Sequence, residues 1–426
     1  MPLQGGTMRR PRRRLPLPFF LAALAVCARG EPRWPCYHGP NRDNRSADTG
    51  LLASWPAEGP KLLWTASGLG EGYSSAAIAG GRLYTAGMIE KQTHVIALDM
   101  DGKVLWRTPN GPSWAASREQ QWAVAYAGAR GTPAVDGDLV YHMADMGDLR
   151  AFDARTGEVK WHVDLLRVFE GERPKYGLSE SVLLDGDALL CCPGGAKGYM
   201  AALDTRTGAT LWANTELRDP VGYCSPVIAE IDGVRQAISM SAARVFAVDP
   251  AGGSLLWQHE FGNPRQNSAT DVIVHDNAVY ASCGYRGGSV LLRPRRQAGG
   301  RHVVEQVWRV PALDNHHGGV VRDGDFLYGA GHEARGWFCL DFKSGATRWQ
   351  SPGKGSLTYA DGRLYLLDEN GTMALVRCTP EKWEAVSSFK LPRGGKGLYW
   401  AHPVVCGGRL YVRHADQLFA YDVRAE

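Results

Sequence analysis

The stretch Ala151-Phe152-Asp153-Ala154-Arg155-Thr156-Gly157-Glu158-Val159-Lys160-Trp161 decides the fold, because it returns. Fifty-one residues on, the chain reads Ala202-Leu203-Asp204-Thr205-Arg206-Thr207-Gly208-Ala209-Thr210-Leu211-Trp212. Ahead of each copy stands an Asp-Gly pair between apolar runs, such as Asp136-Gly137 followed by Val140-Tyr141. Asp-Gly between apolar runs is a two-residue hairpin turn, since Gly reaches positive φ without a steric cost. The Asp of A-x-D accepts bonds from backbone N–H groups across the T-G turn. The Trp buries a large ring between neighbouring units.

The unit recurs with variations along the chain. Gly80-Gly81, Leu83-Tyr84, Ala97-Leu98-Asp99 and Trp106 form the first copy. Asp232-Gly233, Ala247-Val248-Asp249, Gly252-Gly253 and Trp257 form the fourth. The fifth has Asp276-Asn277 and Trp308 with a divergent second half, and the sixth has Asp323-Gly324, Leu340-Asp341, Ser344-Gly345 and Trp349. The seventh has Asp361-Gly362, Leu364-Tyr365 and Trp383, and the eighth has Gly407-Gly408, Leu410-Tyr411 and Ala420-Tyr421-Asp422. The eighth lacks a Trp strand, whereas Lys61-Leu62-Leu63-Trp64 stands alone at the other end. An N-terminal strand that completes the last unit closes a ring and removes its open edges. The closing tryptophans are then Trp64, Trp106, Trp161, Trp212, Trp257, Trp308, Trp349 and Trp383, spaced 34 to 55 residues apart. A four-stranded propeller blade takes ~40–50 residues. The expected fold is all-β: an eight-bladed β-propeller of four-stranded antiparallel blades over residues 61–426.

Composition agrees. The chain has 426 residues, with 52 Gly, 24 Pro, 14 Trp and 16 Tyr, a mixture suited to short strands and tight turns. The formal charge of +4 comes from the N-terminus, where residues 1–28 carry five arginines and no acid. Without them 43 basic residues face 44 acidic ones, so nothing marks a nucleic-acid footprint. Residues 1–28 read as a signal peptide: Arg9, Arg10, Arg12, Arg13 and Arg14 precede an apolar run from Leu15 to Ala28. That run is too short to span a bilayer, and cleavage falls after Ala28 or Gly30. Leu24-Ala25-Val26-Cys27 nearly fits a lipobox, but Val26 stands where a small residue is needed. The protein is expected to be exported, periplasmic or extracellular, monomeric and without a transmembrane segment. Residues 29–60, rich in Pro, Gly, Asn and Asp, are expected to form an extended arm packed on the propeller side and pinned by its apolar residues.

Eight cysteines remain after cleavage. Most sit in apolar strand-like runs and read as small buried hydrophobes. No C-x-x-C-H, C-x-x-C or H-E-x-x-H motif is present for haem or zinc.

The A-x-D-x-x-T-G-x-x-x-W repeat resembles the pyrroloquinoline-quinone (PQQ) type propeller repeat. That family holds quinoprotein alcohol dehydrogenases and BamB-type outer-membrane assembly propellers. Trp34-Pro35-Cys36-Tyr37-His38-Gly39-Pro40-Asn41-Arg42-Asp43 resembles the opening of a bacterial group of PQQ-binding-like propellers. Asn315-His316-His317-Gly318-Gly319, the run from Gly353 to Tyr359, and Trp400-Ala401-His402-Pro403 resemble that group as well.

The first strand of each blade lines the central channel, and its N-terminal residue points toward one mouth. This places Ser74, Thr132, Glu180, Ser225, Asp271, His317, Thr358 and His402 at a polar funnel, with Trp122, Arg130, Tyr223, His316 and Trp400 nearby. Convergent polar groups in a concave site are the default binding site. Adjacent strand residues point to opposite sides, so at most one of His316 and His317 is expected to face the channel. The resemblance implies two functions. One is a binding or scaffold propeller that takes a protein or small-molecule ligand at the funnel or loops, with no cofactor. The other is a PQQ- and calcium-dependent dehydrogenase, in which Asp271 and Glu180 are the candidate catalytic carboxylates. Calcium demands six or more oxygens, to which Glu180, Asp271 and Asn315 can contribute. Adjacent, disulfide-linked cysteines stack the cofactor in those dehydrogenases; here Cys191 and Cys192 read as the second strand of blade three running into a turn, a coincidental pair of strand cysteines. Aromatic residues at the mouth raise carbohydrate binding as a third idea.

Overall fold

The Asp-Gly pairs do turn hairpins, and the hairpins do build blades. The structure, a computed structural model, describes residues 1–2, 31, 33–114, 126–300 and 302–425. Residues 3–28 of the expected signal segment and Trp122 lie outside these residues. Glu31–Glu426 forms one compact unit. Its strands, β1 to β32 in chain order, pair into eight antiparallel sheets of four. Each sheet is one blade. The innermost strands are β2 (Ala77–Ala79), β6 (Ala134–Asp136), β10 (Leu183–Asp185), β14 (Val227–Ile231), β18 (Ile273–His275), β22 (Val320–Asp323), β26 (Gly355–Ala360) and β30 (Val404–Cys406). The outermost strand of the last blade is β1 (Lys61–Ala66), which pairs with β32 (Gln417–Asp422) and places Trp64 opposite Ala420. The ring closes as the sequence predicts. No helix among the described residues is long and apolar enough to cross a membrane.

The repeat motif is the joint between blades. Trp106 donates its indole N–H to the carbonyl of Ala154 at 3.2 Å, in the next blade's A-x-D turn. Trp64 reaches Met100, Trp161 reaches Thr205, Trp212 reaches Pro250, Trp308 reaches Phe342 and Trp349 reaches Thr379, at 2.8–3.0 Å. The turn glycine lies flat on the same ring. A Cβ at Gly157 would stand 2.6 Å from Trp106, and one at Gly253 only 2.3 Å from Trp212. Gly therefore serves both the positive φ and the close approach.

Two tryptophans depart from this rule. Trp257 faces blade 5, whose second half lacks the T-G turn, and donates instead to Gln236 Oε1 in its own blade at 2.6 Å. Trp383, expected to close blade 7, lies in the loop before β29 (Ala385–Lys390) and packs edge-on against Trp349. The register shows why. Trp161 pairs with Ala151 and Trp349 with Cys339, but the matching partner of Leu375 in blade 7 is Ser387. The vacant place is filled from the arm. The Trp55 backbone N–H donates to Ser387 Oγ at 2.9 Å, and the ring lies 5.3 Å from Phe389.

The arm also departs from its expected course. Leu51 and Trp55 do pin it to the outside, on blades 7 and 8. Residues 34–46, however, run through the channel. Trp34 bridges to Ile78 in β2, and the Pro35 carbonyl accepts from Val135 N–H at 2.8 Å. Asn44 and Ser46 pair with Tyr359 in β26, on the far side of the ring. Between these anchors Arg42 donates to the carbonyls of Pro226 at 3.0 Å, Ser181 at 2.9 Å and Val182. Inner strands carry alternate carbonyls that point into the channel, and a polar arm satisfies them where an apolar one would not.

Candidate functional site

The inner-strand entries form a hydrogen-bonded belt. Ser75 N–H donates to Thr132 Oγ1 at 3.0 Å, Thr132 N–H to Ser181 Oγ at 2.9 Å, Ser181 N–H to Ser225 Oγ at 3.0 Å, and Ser225 N–H to Asp271 Oδ1 at 2.8 Å. Across blades 1 to 5, one short polar side chain from each blade satisfies the backbone of the blade before it. Thr132, Ser225 and Asp271 were expected to serve a ligand at the funnel; here their side chains join blades.

Beneath the belt the arm contributes two rings. His402 Nε2 lies 2.7 Å from the carbonyl of His317, so it carries the proton. Its Nδ1 then accepts from His38 Nε2 at 3.0 Å. The other ring nitrogen of His38 faces Asp271 Oδ2 at 3.4 Å. Burial and the nearby charge of His38 push His402 down to about 3. Tyr37 Oη stands 3.1 Å from His402 Nε2 and forms part of the floor of the space above.

That space is a pocket of about 410 Å³ at the mouth of the channel, within the usual range for small-molecule sites. Its wall comes from the loops that enter the inner strands and from the loops between the second and third strands. Of the residues expected at the funnel, Arg130, Tyr223, Ser225, His316, His317, Trp400 and His402 line it. Thr132, Glu180, Asp271 and Thr358 lie deeper, and Thr358 hydrogen-bonds Asn44 of the arm. Both His316 and His317 reach the pocket, against the expectation of at most one. They precede β22 in a loop, where strand alternation does not apply, and their Nδ1 atoms are 3.0 Å apart. Burial pushes both imidazoles well below their ordinary range.

Several lining residues escaped the sequence reading. Tyr73 stands one position before Ser74, and Tyr285, His332, Arg335 and Glu369 come from second-to-third strand loops, which the repeat leaves unconstrained. Glu369 is a hub. It accepts from Trp400 Nε1 at 2.8 Å and lies 3.1 Å from Lys354 Nζ and 3.6 Å from Arg335. Arg130 donates to the carbonyl of Tyr176 at 2.7 Å, and burial pushes its guanidinium down.

The family described as outer membrane protein assembly factor BamB matches residues 48–167 and 114–351, well over half of the chain. The chain belongs to this family. Among relatives of this BamB-family chain, BamB of Burkholderia pseudomallei is 26% identical over 292 residues, 59% of this chain and 74% of that protein. The quinoprotein alcohol dehydrogenase PedH of Pseudomonas putida is 25% identical over 163 residues, 37% of this chain. The match spans only 26% of that dehydrogenase. BamB from Moraxella catarrhalis superposes with a TM-score of 0.57 at 15% identity, covering 85% of this chain and 99% of that one. Quinohemoprotein alcohol dehydrogenase from Comamonas testosteroni gives 0.60 at 13% identity, covering 92% and 81%. At such identities the solved structures speak for the fold.

The quinoprotein likeness raises PQQ with calcium, and the residues of this BamB-family chain do not fit that pair. Asp271 Oδ1 is taken by Ser225 N–H while Oδ2 faces His38. Glu180 accepts from Cys192 N–H at 2.7 Å, and burial raises its carboxyl to about 7. Asn315 Oδ1 accepts from Thr270 Oγ1 and Gly319 N–H, which locks its own loop. These oxygens come from three blades, and no group of three His, Cys, Asp or Glu among the described residues is placed to hold a metal. Cys191 ends β11 (Ala188–Cys191), and it and Cys192 are free and buried in the core of blade 3. Trp400 already has Tyr126 stacked at 5.3 Å and His317 at 4.3 Å.

Proposed function

We propose that this chain is an exported, periplasmic binding propeller that works as a monomer and captures a small ligand or a partner segment in its mouth pocket, without a redox step of its own. One observation carries the reading: the arm occupies the channel, and its His38 stands against the carboxylate, Asp271, that cation chemistry would need free. What remains open is a pocket of ring edges, hydroxyls and cations, built to hold and not to transform. Membership of the BamB family supports the scaffold reading. The likeness to PedH over 163 residues supports a second one, a PQQ- and calcium-dependent oxidoreductase.

The test is a titration of the processed protein with PQQ, with and without calcium, following Trp fluorescence and dye-linked alcohol oxidation. No saturable binding at tens of micromolar and no turnover is the expected result. Calcium-dependent binding that disappears in Glu180→Ala or Asp271→Ala overturns the binding-only reading.

A further inference from the structure

The charges around the pocket do not cancel. Three cations reach its lining, Arg130, Arg335 and Lys354. Glu369 sits between two of them, 3.1 Å from Lys354 and 3.6 Å from Arg335. The field of Asp145 acts on Arg130, and Asp145 is itself tied to Trp114 N–H and Ser113. Glu333 answers Arg286 at 3.7 Å, outside the lining. The histidines are held neutral by burial. Of the three lining cations, Glu369 answers one and Asp145, behind the wall, answers Arg130, so one positive charge is left over, on the side of Arg335.

The wall also offers hydrogen bonds that the protein leaves unused. His317 Nε2 and His332 Nδ1 are buried and have no hydrogen-bond partner among the described residues, Glu369 Oε1 standing 3.9 Å from the first. Buried polar atoms of this kind call for a partner from outside. Tyr37, Tyr223 and Tyr285 add ring edges tipped with hydroxyls, apolar bodies with a polar end. Trp400, the indole among the described lining residues, already has ring neighbours, so the pocket favours a ligand held by many hydrogen bonds over one held by flat stacking.

We infer that the pocket takes a singly charged, polyhydroxylated ring compound: a carboxylated sugar of the hexuronate class, its carboxylate toward Arg335 and Lys354 and its hydroxyls on the histidine and tyrosine edges. This rests on the pocket being the binding site. A monoanion matches the single surplus charge, and hydroxyls, as both donors and acceptors, match imidazole nitrogens of either tautomer.

Calorimetric titration of the processed chain with galacturonate tests it, with galactose and benzoate as comparisons. Uronate is expected to bind at least about tenfold more tightly than either, since galactose lacks the charge and benzoate the hydroxyls. Arg335→Ala, at an exposed side chain that folding does not need, is expected to weaken uronate about tenfold or more, with partial rescue by Arg335→Lys. The distant exposed variant Arg206→Ala leaves binding unchanged. Galactose or benzoate binding as well as uronate, no uronate binding, or an Arg335→Ala variant with unaltered affinity each overturns the ligand class. These outcomes leave the binding reading standing; calcium-dependent alcohol oxidation with PQQ is what removes that reading.

Discussion

Trp55 of the arm stands 5.5 Å from Tyr365 of blade 7. Elsewhere the same relation joins a blade's own residues, as in Trp349 with Tyr328 at 5.9 Å and Trp106 with Tyr84 at 6.1 Å. The arm thus supplies the closing ring of a blade that carries Ser387 in its place. It is a structural member of the propeller as well as the plug of its channel.

Trp55→Ala should therefore behave as a core truncation. Trp55 is 5% exposed, and large aromatic-to-Ala changes in a core cost ~3–5 kcal/mol. Trp383→Ala, at a partly exposed loop position, should cost clearly less. Urea unfolding of the two variants measures the difference; equal losses would return the closing role to Trp383.

The turn glycines separate backbone from packing effects. Gly233 and Gly253 have nearly the same φ, 71° and 75°, but a Cβ at Gly233 meets nothing within 4 Å, whereas one at Gly253 meets Trp212 at 2.3 Å. Gly233→Ala should cost ~1–2 kcal/mol, the left-handed penalty alone. Gly253→Ala should add ~1–3 kcal/mol of overpacking to that. Paired denaturation midpoints read this directly.

Arg42 holds the arm in the channel through three backbone carbonyls. Arg42→Ala leaves those buried acceptors without their donor, at ~1–3 kcal/mol for each unsatisfied group. Limited proteolysis should then cut within residues 34–46 of the variant while the wild-type arm stays protected. An arm equally resistant in both would show that Arg42 is dispensable for its seating.

Glu180 predicts a pH dependence. Burial raises its carboxyl from 4.5 to about 7. The folded state therefore binds a proton that the unfolded state has released, between about pH 4.5 and 7, and stability from this group falls as pH rises through that window. The size is on the order of 3 kcal/mol at ~1.36 per pH unit. His402 and His142, pushed down by burial to about 3 and about 4, act oppositely: their contribution is lost as pH falls below 6.5. Glu180→Gln isolates the carboxyl term. Its stability relative to wild type should improve from pH 5 to pH 8, and a flat difference would place the carboxyl in an ordinary environment.

The ring of blades was legible in the sequence because each blade repeats one local solution: a hairpin glycine, an Asp that ties a turn, a Trp for the neighbouring turn glycine. Such contacts span adjacent units, so spacing alone reveals them, including the return of Lys61–Ala66 to blade 8. Even one of the exceptions was marked, since Trp257 strays where the fifth copy diverges. The polar entry positions were also readable, because every inner strand begins at the same point of its repeat.

The pocket and the arm were decided only by the tertiary structure. Tyr285, His332, Arg335 and Glu369 lie in loops of unequal length whose convergence depends on the closed ring. His38 meets His402 across 364 residues, and Trp55 meets Ser387 across 332. The arm carries no repeat, so its path was set by which carbonyls and which missing Trp the finished ring left unsatisfied. Local periodicity determines the ring; what fills its centre depends on groups that become neighbours only once the ring has closed.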